Sequence, residues 1–523
     1  VKRDEVKYMV VKNSRQQVKA TELKKYLLEK NISNHYVQYF EPFDIIFDNF
    51  IFKAEQALRI LPNRRLVLSG TIHDTKKVIL KIFIDPVKYQ KDYIKNEQGY
   101  NWLQRLELDT PKIISAYCDH IQQQSYFISQ YIEHDLSNIN HQILIAAIAQ
   151  LHKNNICQND LHINNFILNK NKVYYLDYAA LVKVNSFNGN IKSCAQFNNF
   201  ALFLAQLDMA ECIKWPIYIQ CYLNYYFQDQ IIAYSHVDIE KYILHKAKKL
   251  LESRLNDFTN KCRRDCTDFK LITNNDLTGN IHTSISGLIK RSAIIDYDLA
   301  YVINQLLQTE LEDKNNILNS HLIATLKNGN TARVLLLEHH NKKFIIKHYL
   351  PGKKWQQLIR TVKYLFIKPR AMKSWLNANF LEHLGVATAK PIAFLLQRKG
   401  VFTKDSFFIM EYIENIQRLD TILENKELNT VTKHKYLSQI KCLLDNFAFL
   451  RIVHRDFKSV NLGIKEEQLF LLDLDALHQY NSKFFYEKVK DKDNLRIIKC
   501  LKSYPDLLEF YKSTKITKSE KYV

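Results

Sequence analysis

The sequence predicts an α+β protein in which one fold is written twice: two domains in tandem, each a β-rich small lobe followed by an α-helical large lobe. Three observations predict it. The chain has 523 residues, 46% of them hydrophobic, too long for one ordinary domain and apolar enough for two cores. A set of polar residues recurs in the two halves in one order and spacing. In each half, strand-like runs come first and helical periodicity follows.

The repeat is explicit. CQNDLHINNFIL (157–168) precedes VYYLDYAAL (173–181), and VHRDFKSVNLGI (453–464) precedes LFLLDLDAL (469–477). Asp160 and Asp456 lie 296 positions apart, as do Asn165 and Asn461, and Asp177 and Asp473. Upstream, FISQYIE (127–133) parallels FIMEYIE (408–414), and NWLQRL (101–106) parallels NFLEHL (379–384). Chance similarity would not preserve order and spacing together.

The small lobes read as strands over Arg65 to Leu68 and Val78 to Ile84, then over Ala332 to Leu337 and Lys343 to Tyr349. A helical stretch and a strand ending in the YIE segments follow. The rest is mainly helical, with Phe197, Phe200, Ala201, Leu204 and Leu207 at helical spacing. No Pro- or Ser-rich linker marks the division. It is placed near residue 300, giving domains 1–300 and 301–523, the second with a shorter large lobe.

The formal net charge of +21 predicts attraction to polyanions: nucleic acid, anionic lipid head groups or phosphorylated glycans. Part of that charge, such as NKCRRDC (260–266), also reads as an ordinary solvated basic face. The nine cysteines form no CxxC pair, and Cys262 and Cys266 have no second pair to complete a metal site. Reduced thiols in a cytosolic protein are expected. No secretory signal is read at the N-terminus. The longest apolar runs, such as Ile143 to Leu151, are far short of the roughly 18 residues that a membrane span requires.

The repeated residues suit phosphoryl transfer, which asks little of a protein beyond placed charges. Asp160 and Asp456 head the two loops and would orient the attacking hydroxyl. Asn165 and Asn461, five positions on, would turn an amide oxygen towards Mg²⁺, and Asp177 and Asp473 would chelate it from the ends of apolar strands. His162 and Lys458, two after the loop aspartates, would reach the γ-phosphate; His162 also reads as a loop histidine bonded to backbone. Lys81 and Lys347 sit inside apolar strands, where packing alone explains a lysine poorly, and would neutralise nucleotide phosphates. Glu97, sixteen residues after Lys81, is expected to pair with it. The repeat sets Trp375 opposite Glu97, so that partner of Lys347 is missing or supplied from elsewhere. Asp475 reads equally as a backbone cap or a metal contact. Neither half has a GxGxxG loop, and the glycines available to cover phosphates are Gly70 and Gly329.

At these residues the chain resembles the protein-kinase-like superfamily, and among its members the bacterial lipopolysaccharide kinases, which act on Kdo or heptose. HRDFKSVN with LLDLDAL is similar to the catalytic loop and metal-binding motif. RAMKSWLNANFLEHLGVATAKPIAF (370–394) is similar to the family's helix and its G-x-x-T-x-x-P turn into a strand. DLHINN has the DLHxxN form also found in aminoglycoside- and choline-kinase-like enzymes. The resemblance spans roughly 60–200 and 320–505. It implies two kinase-like bilobal domains, ATP and Mg²⁺ as cofactors, and a core-sugar hydroxyl of lipopolysaccharide or another anionic glycolipid as acceptor. It implies a cytoplasmic protein in peripheral contact with the anionic inner membrane, which makes nucleic acid an unlikely partner. The first half departs from it at Gln158 and Asn159, where the second has His454 and Arg455. A protein or small-molecule kinase of the same fold, and a scaffold of two pseudokinases, are the competing readings.

Overall fold

The computed structural model describes residues 15–23, 25–26, 42–61, 63–133, 141–170, 172–228, 236–266, 268–274, 277–282, 322–339, 342–350, 368–399 and 402–514. These fall into two compact units. One takes the described residues of Val1–Phe203 and Tyr218–Ile243, the other those of Leu204–Ile217 and Leu244–Val523.

The first unit opens on a seven-stranded sheet of β1 (Gln17–Lys19), β2 (Phe43–Ile46), β3 (Ile51–Leu61), β4 (Arg65–Ile72), β5 (Lys76–Phe83), β6 (Ile113–Asp119) and β7 (Gln124–Gln130), in the spatial order β1-β2-β3-β4-β5-β7-β6. Period-two alternation gives the sheet one apolar face. In β4, Leu66, Leu68 and Ile72 are buried with Leu80 and Ile82 of β5, whereas Arg65, Val67 and Ser69 on the other face are only half-buried. Helix α1 (Tyr89–Arg105) lies between β5 and β6 and buries Tyr89, Asn96, Gly99 and Leu103. The helical part holds α2 (His141–Lys153), which contains the apolar run from Ile143, and α3 (Ala195–Leu204). Between them the short strands β8 (Ile156–Gln158), β9 (Phe166–Asn169), β10 (Lys172–Tyr175) and β11 (Leu181–Lys183) pair as β9 with β10 and β8 with β11.

The second unit's sheet contains β12 (Phe269–Asn274), β13 (Leu277–His282), β14 (Leu322–Asn328), β15 (Ala332–His339), β16 (Lys342–Tyr349), β17 (Pro391–Lys399) and β18 (Phe402–Glu411), in the order β12-β13-β17-β18-β16-β15-β14. Helix α4 (Arg370–His383) precedes β17, and α5 (Thr430–Phe449) leads to the loop region. There β19 (Gln417–Arg418), β21 (Leu462–Lys465) and β22 (Gln468–Leu471) form one small sheet, and β20 (Ile452–Val453) pairs with β23 (His478–Gln479). Helices α6 (Lys483–Glu487), α7 (Lys492–Leu501) and α8 (Pro505–Ser513) follow.

Five strands run in the same order in both units: β3-β4-β5-β7-β6 in one, β14-β15-β16-β18-β17 in the other. The sheets grow at opposite edges, by β1 and β2 beside β3 and by β12 and β13 beside β17. Each central helix ends on a left-handed residue, Glu107 (φ 54°) or Gly385 (φ 74°). Each end is closed by the same backbone bond, from Leu108 N to Leu103 O and from Val386 N to Leu381 O.

The domain boundary differs from the expected one. Residues 269–282, assigned from sequence to the first half, supply β12 and β13 of the second sheet, because β13 pairs along its length with β17. Residues 283–321, around the expected division, lie outside the described residues. Gly70 is not in a phosphate-covering turn either. It sits mid-strand in β4, where a Cβ would stand 2.1 Å from the Lys53 carbonyl oxygen. Its smallness lets β3 and β4 approach. Gly329 does lie in the turn between β14 and β15. Among the described residues, no helix is long and apolar enough to cross a membrane.

Candidate active site

Each unit brings its strand lysine onto its strand-end aspartate. Lys81 Nζ is 3.2 Å from Asp177 Oδ1, and Lys347 Nζ is 3.0 Å from Asp473 Oδ1. Lys347 also donates to the Leu472 carbonyl oxygen at 3.3 Å. Burial by itself would push both carboxyls up. The adjacent lysines outweigh it and hold both below the usual carboxylate range, helped by Arg65 and Arg59 at Asp177 and by His454 and Arg370 at Asp473. Burial lowers the Lys81 ammonium, with Asp177 opposing.

The loops are built alike. Asn165 Nδ2 donates to the Asp160 carbonyl oxygen at 2.5 Å, and Asn461 Nδ2 to that of Asp456 at 2.9 Å. These bonds turn the amide nitrogen inward and leave the amide oxygen available to a cation. The backbone ties each loop to the strand bearing the second aspartate, Leu176 N to Asn165 O at 2.8 Å and Leu472 N to Asn461 O at 3.0 Å. The side chains two positions after the loop aspartates turn back on them. His162 Nε2 is 3.7 Å from Asp160 Oδ2, and Lys458 Nζ is 2.8 Å from Asp456 Oδ1. Arg496 Nη1 also reaches Asp456, at 3.7 Å.

Glu97 is not the partner of Lys81. It is exposed, and among the described residues it meets the Tyr93 hydroxyl, at 3.5 Å. The neighbour Asn96, 1% exposed, accepts from Lys81 Nζ at 3.0 Å and donates to the Asp92 carbonyl oxygen at 2.6 Å. Helix phase decides this: Tyr89, Asn96, Gly99 and Leu103 form the buried stripe, and position 97 lies about 100° away. That stripe was the readable signal. In the second unit Trp375 is buried, its indole donating to the Cys262 carbonyl oxygen at 2.9 Å. Asp475, read from the sequence as a backbone cap or a metal contact, is held by an arginine. It receives Arg370 through Nε at 2.8 Å and Nη2 at 2.5 Å, and that guanidinium lies over the Tyr349 ring.

Several residues that sequence reasoning missed hold these parts in place. Asp493 accepts from the backbone N–H of His454 at 2.5 Å and of Arg455 at 3.0 Å, fixing the start of the second loop. In the first unit Asn199 takes that place. It accepts from Gln158 N at 3.3 Å and donates to the Gln158 carbonyl oxygen at 2.8 Å. The Gln158 side chain donates to the Leu176 carbonyl oxygen at 2.9 Å, whereas His454 is fully buried and burial pushes its imidazole down to about 4. Gly99 packs on the backbone of Tyr178, next to Asp177, where a Cβ would be 2.1 Å from the carbonyl oxygen. The matching residue Asn377 instead donates to the carbonyl oxygens of Leu474, at 2.7 Å, and Leu477, at 3.1 Å.

The donor set fits a magnesium–nucleotide complex. Each unit offers hard oxygen ligands, a carboxylate and an amide, with a lysine for phosphate charge. Among the described residues no three His, Cys, Asp or Glu side chains gather into a closed metal cluster.

Comparison with curated proteins finds no match. A solved structure described as WaaP in complex with acyl carrier protein is 14% identical, with a TM-score of 0.24, and covers 38% of this chain and 89% of that chain. Residues 321–507 match the family model described as Lipopolysaccharide kinase (Kdo/WaaP) family. The second unit thus carries a segment similar to a family of kinases, and the chemistry of that family is phosphoryl transfer from ATP.

Proposed function

We propose that this chain is an ATP-dependent kinase of tandem kinase-like domains that phosphorylates a sugar hydroxyl, Kdo or heptose, in the core of lipopolysaccharide. The observation that carries the reading is the pairing of Lys347 with Asp473 at 3.0 Å inside the family-matched segment, beside a loop that presents Asp456 and Asn461. The same arrangement in the first unit, with the shared five-strand order, supports two copies. The net charge of +21 suits an anionic glycolipid and the membrane surface that carries it.

Magnesium-bound ATP supplies the phosphoryl group. Asp456 orients the acceptor hydroxyl and takes its proton as the acceptor oxygen bonds to phosphorus and the bond to the bridging oxygen breaks. Lys458 and Arg496, both on Asp456 Oδ1, hold that carboxylate in position. Asn461 and Asp473 would hold the metal, and Lys347 would offset phosphate charge. Asp160, Asn165, Asp177, His162 and Lys81 take the same roles in the first unit.

The test is transfer from γ-labelled ATP with Mg²⁺ to dephosphorylated lipopolysaccharide core, using wild type, Asp160→Asn and Asp456→Asn. Labelled glycolipid lost with one variant identifies the catalytic unit and the acceptor class. ATP binding without labelled glycolipid turns the reading towards another acceptor or a scaffold. Unchanged labelling in both single variants and in the double variant sinks the assignment of the loop aspartates.

A further inference from the structure

The first unit has no glycine-rich turn between β3 and β4. That turn leads into Arg64 and Arg65. Arg65 opens β4 opposite Phe83, and Lys81 pairs with Val67 two residues along, so Arg65 and Lys81 share one face of the sheet. It is the face opposite the larger core, shared with the smaller cluster of Phe83, Tyr89 and Phe127. Both cations converge on one carboxylate: Asp177 Oδ1 is 3.2 Å from Lys81 Nζ and 3.9 Å from Arg65 Nη1. Arg65 is 16% exposed in its side chain, and its Nε is buried with no hydrogen-bond acceptor. A buried N–H without an acceptor is costly, and a guanidinium fork matches phosphate oxygens. Arg59 and Arg64 add charge around it. The second unit differs at the equivalent place. Ala332 stands where Arg65 does, two before the Val334 that pairs with Lys347, and the turn ahead of it carries Gly329.

We propose that Arg65, acting with Lys81, grips the phosphates of a nucleoside triphosphate in the first unit, in the place of the backbone amides of a glycine-rich turn. The proposal rests on the reading of the first unit as a nucleotide-binding kinase-like domain. Arg65 is a binding residue here, and its unsatisfied Nε–H and guanidinium edge are the donors offered to phosphate oxygens. A grip of this kind takes its strength from charge, so it falls with added salt.

The test uses the full chain with the second site silenced by Asp473→Asn, and measures binding of Mg·ATP, inorganic tripolyphosphate and adenosine by calorimetry, with thermal stabilisation as a second readout. In that background Arg65→Ala should weaken ATP and tripolyphosphate about 10- to 100-fold and leave adenosine unchanged, and Arg65→Lys should restore part of the loss. The loss should shrink as salt rises. Binding of tripolyphosphate as tight as ATP would make the site one for polyphosphate in general and overturn the nucleotide assignment. ATP affinity within twofold of the parent in Arg65→Ala, with binding abolished in Lys81→Met, overturns the proposal and leaves the kinase reading of the unit intact. Tighter ATP binding in Arg65→Ala overturns it too, by marking Arg65 as a plug on Asp177. If the Asp473→Asn chain binds no ATP at all, the reading of the first unit fails and the proposal falls with it.

Discussion

Lys347 Nζ stands 3.0 Å from Asp473 Oδ1 across 126 positions of chain, and among the described residues no helix carboxylate completes the contact. The ammonium therefore has the Asp473 carboxylate and the Leu472 carbonyl oxygen as its partners. Lys347→Met should strip half-buried Asp473 of its nearest cation and lower phosphoryl transfer by the second unit about 100-fold or more. Single-turnover transfer measured in an Asp160→Asn background checks it.

Asn96, not Glu97, should set the strength of the first site. Asn96→Ala removes the oxygen that receives Lys81 and should weaken ATP binding about tenfold, the worth of a hydrogen bond to a charged group. Glu97→Gln should bind within about twofold of the parent, since its side chain is exposed and reaches only Tyr93. Titration of both variants with the second site silenced decides between them.

Asp493 holds the start of the loop through two backbone N–H groups, so its loss should show in turnover. Asp493→Ala leaves the N–H groups of His454 and Arg455 unsatisfied, at a cost of about 1 to 3 kcal/mol each where buried. The expected signature is a lowered kcat with KM for ATP little changed. An equal loss in kcat and ATP affinity would instead mean that the whole site has come apart.

Gly99 should tolerate no side chain. A Cβ there would meet the Tyr178 carbonyl oxygen at 2.1 Å, so Gly99→Ala must push α1 off the backbone beside Asp177. A loss of about 1 to 3 kcal/mol in unfolding free energy is expected, with weaker nucleotide binding by the first unit. Denaturant unfolding and calorimetry check the two parts.

His152 gives the first unit a pH dependence. Its imidazole is 1% exposed, bonded to the Tyr222 hydroxyl at 2.7 Å and to Asn199 at 3.1 Å, and burial pushes it down to about 4. The unfolded chain binds a proton there near pH 6.5 and the folded one only near 4, so stability falls as pH drops through that window. The loss reaches roughly 3 kcal/mol for the one group. His152→Leu should be less stable at pH 7.5, because it strands the Tyr222 hydroxyl. It should lose less of its remaining stability between pH 6.5 and 4.5 than wild type does. Thermal unfolding across that range provides the comparison.

Much of this was written locally. Asp, the fifth-following Asn and the later strand-end Asp are fixed by spacing along one loop and one short hairpin, where chain connectivity leaves little freedom. The strands Arg65–Ile72, Lys76–Phe83, Ala332–His339 and Lys342–Tyr349 follow from side-chain alternation, which is also local. Tertiary structure decided the rest. Which face of α1 turns inward selected Asn96 over Glu97, because packing against Tyr178 sets the helix phase. Pairing of Leu277–His282 with Pro391–Lys399 moved two strands into the second sheet, since a strand edge can be satisfied by a partner more than a hundred residues away. The approach of Arg65 to Asp177 joins the first turn of one strand to the end of another, a contact for which sequence spacing carries no signal.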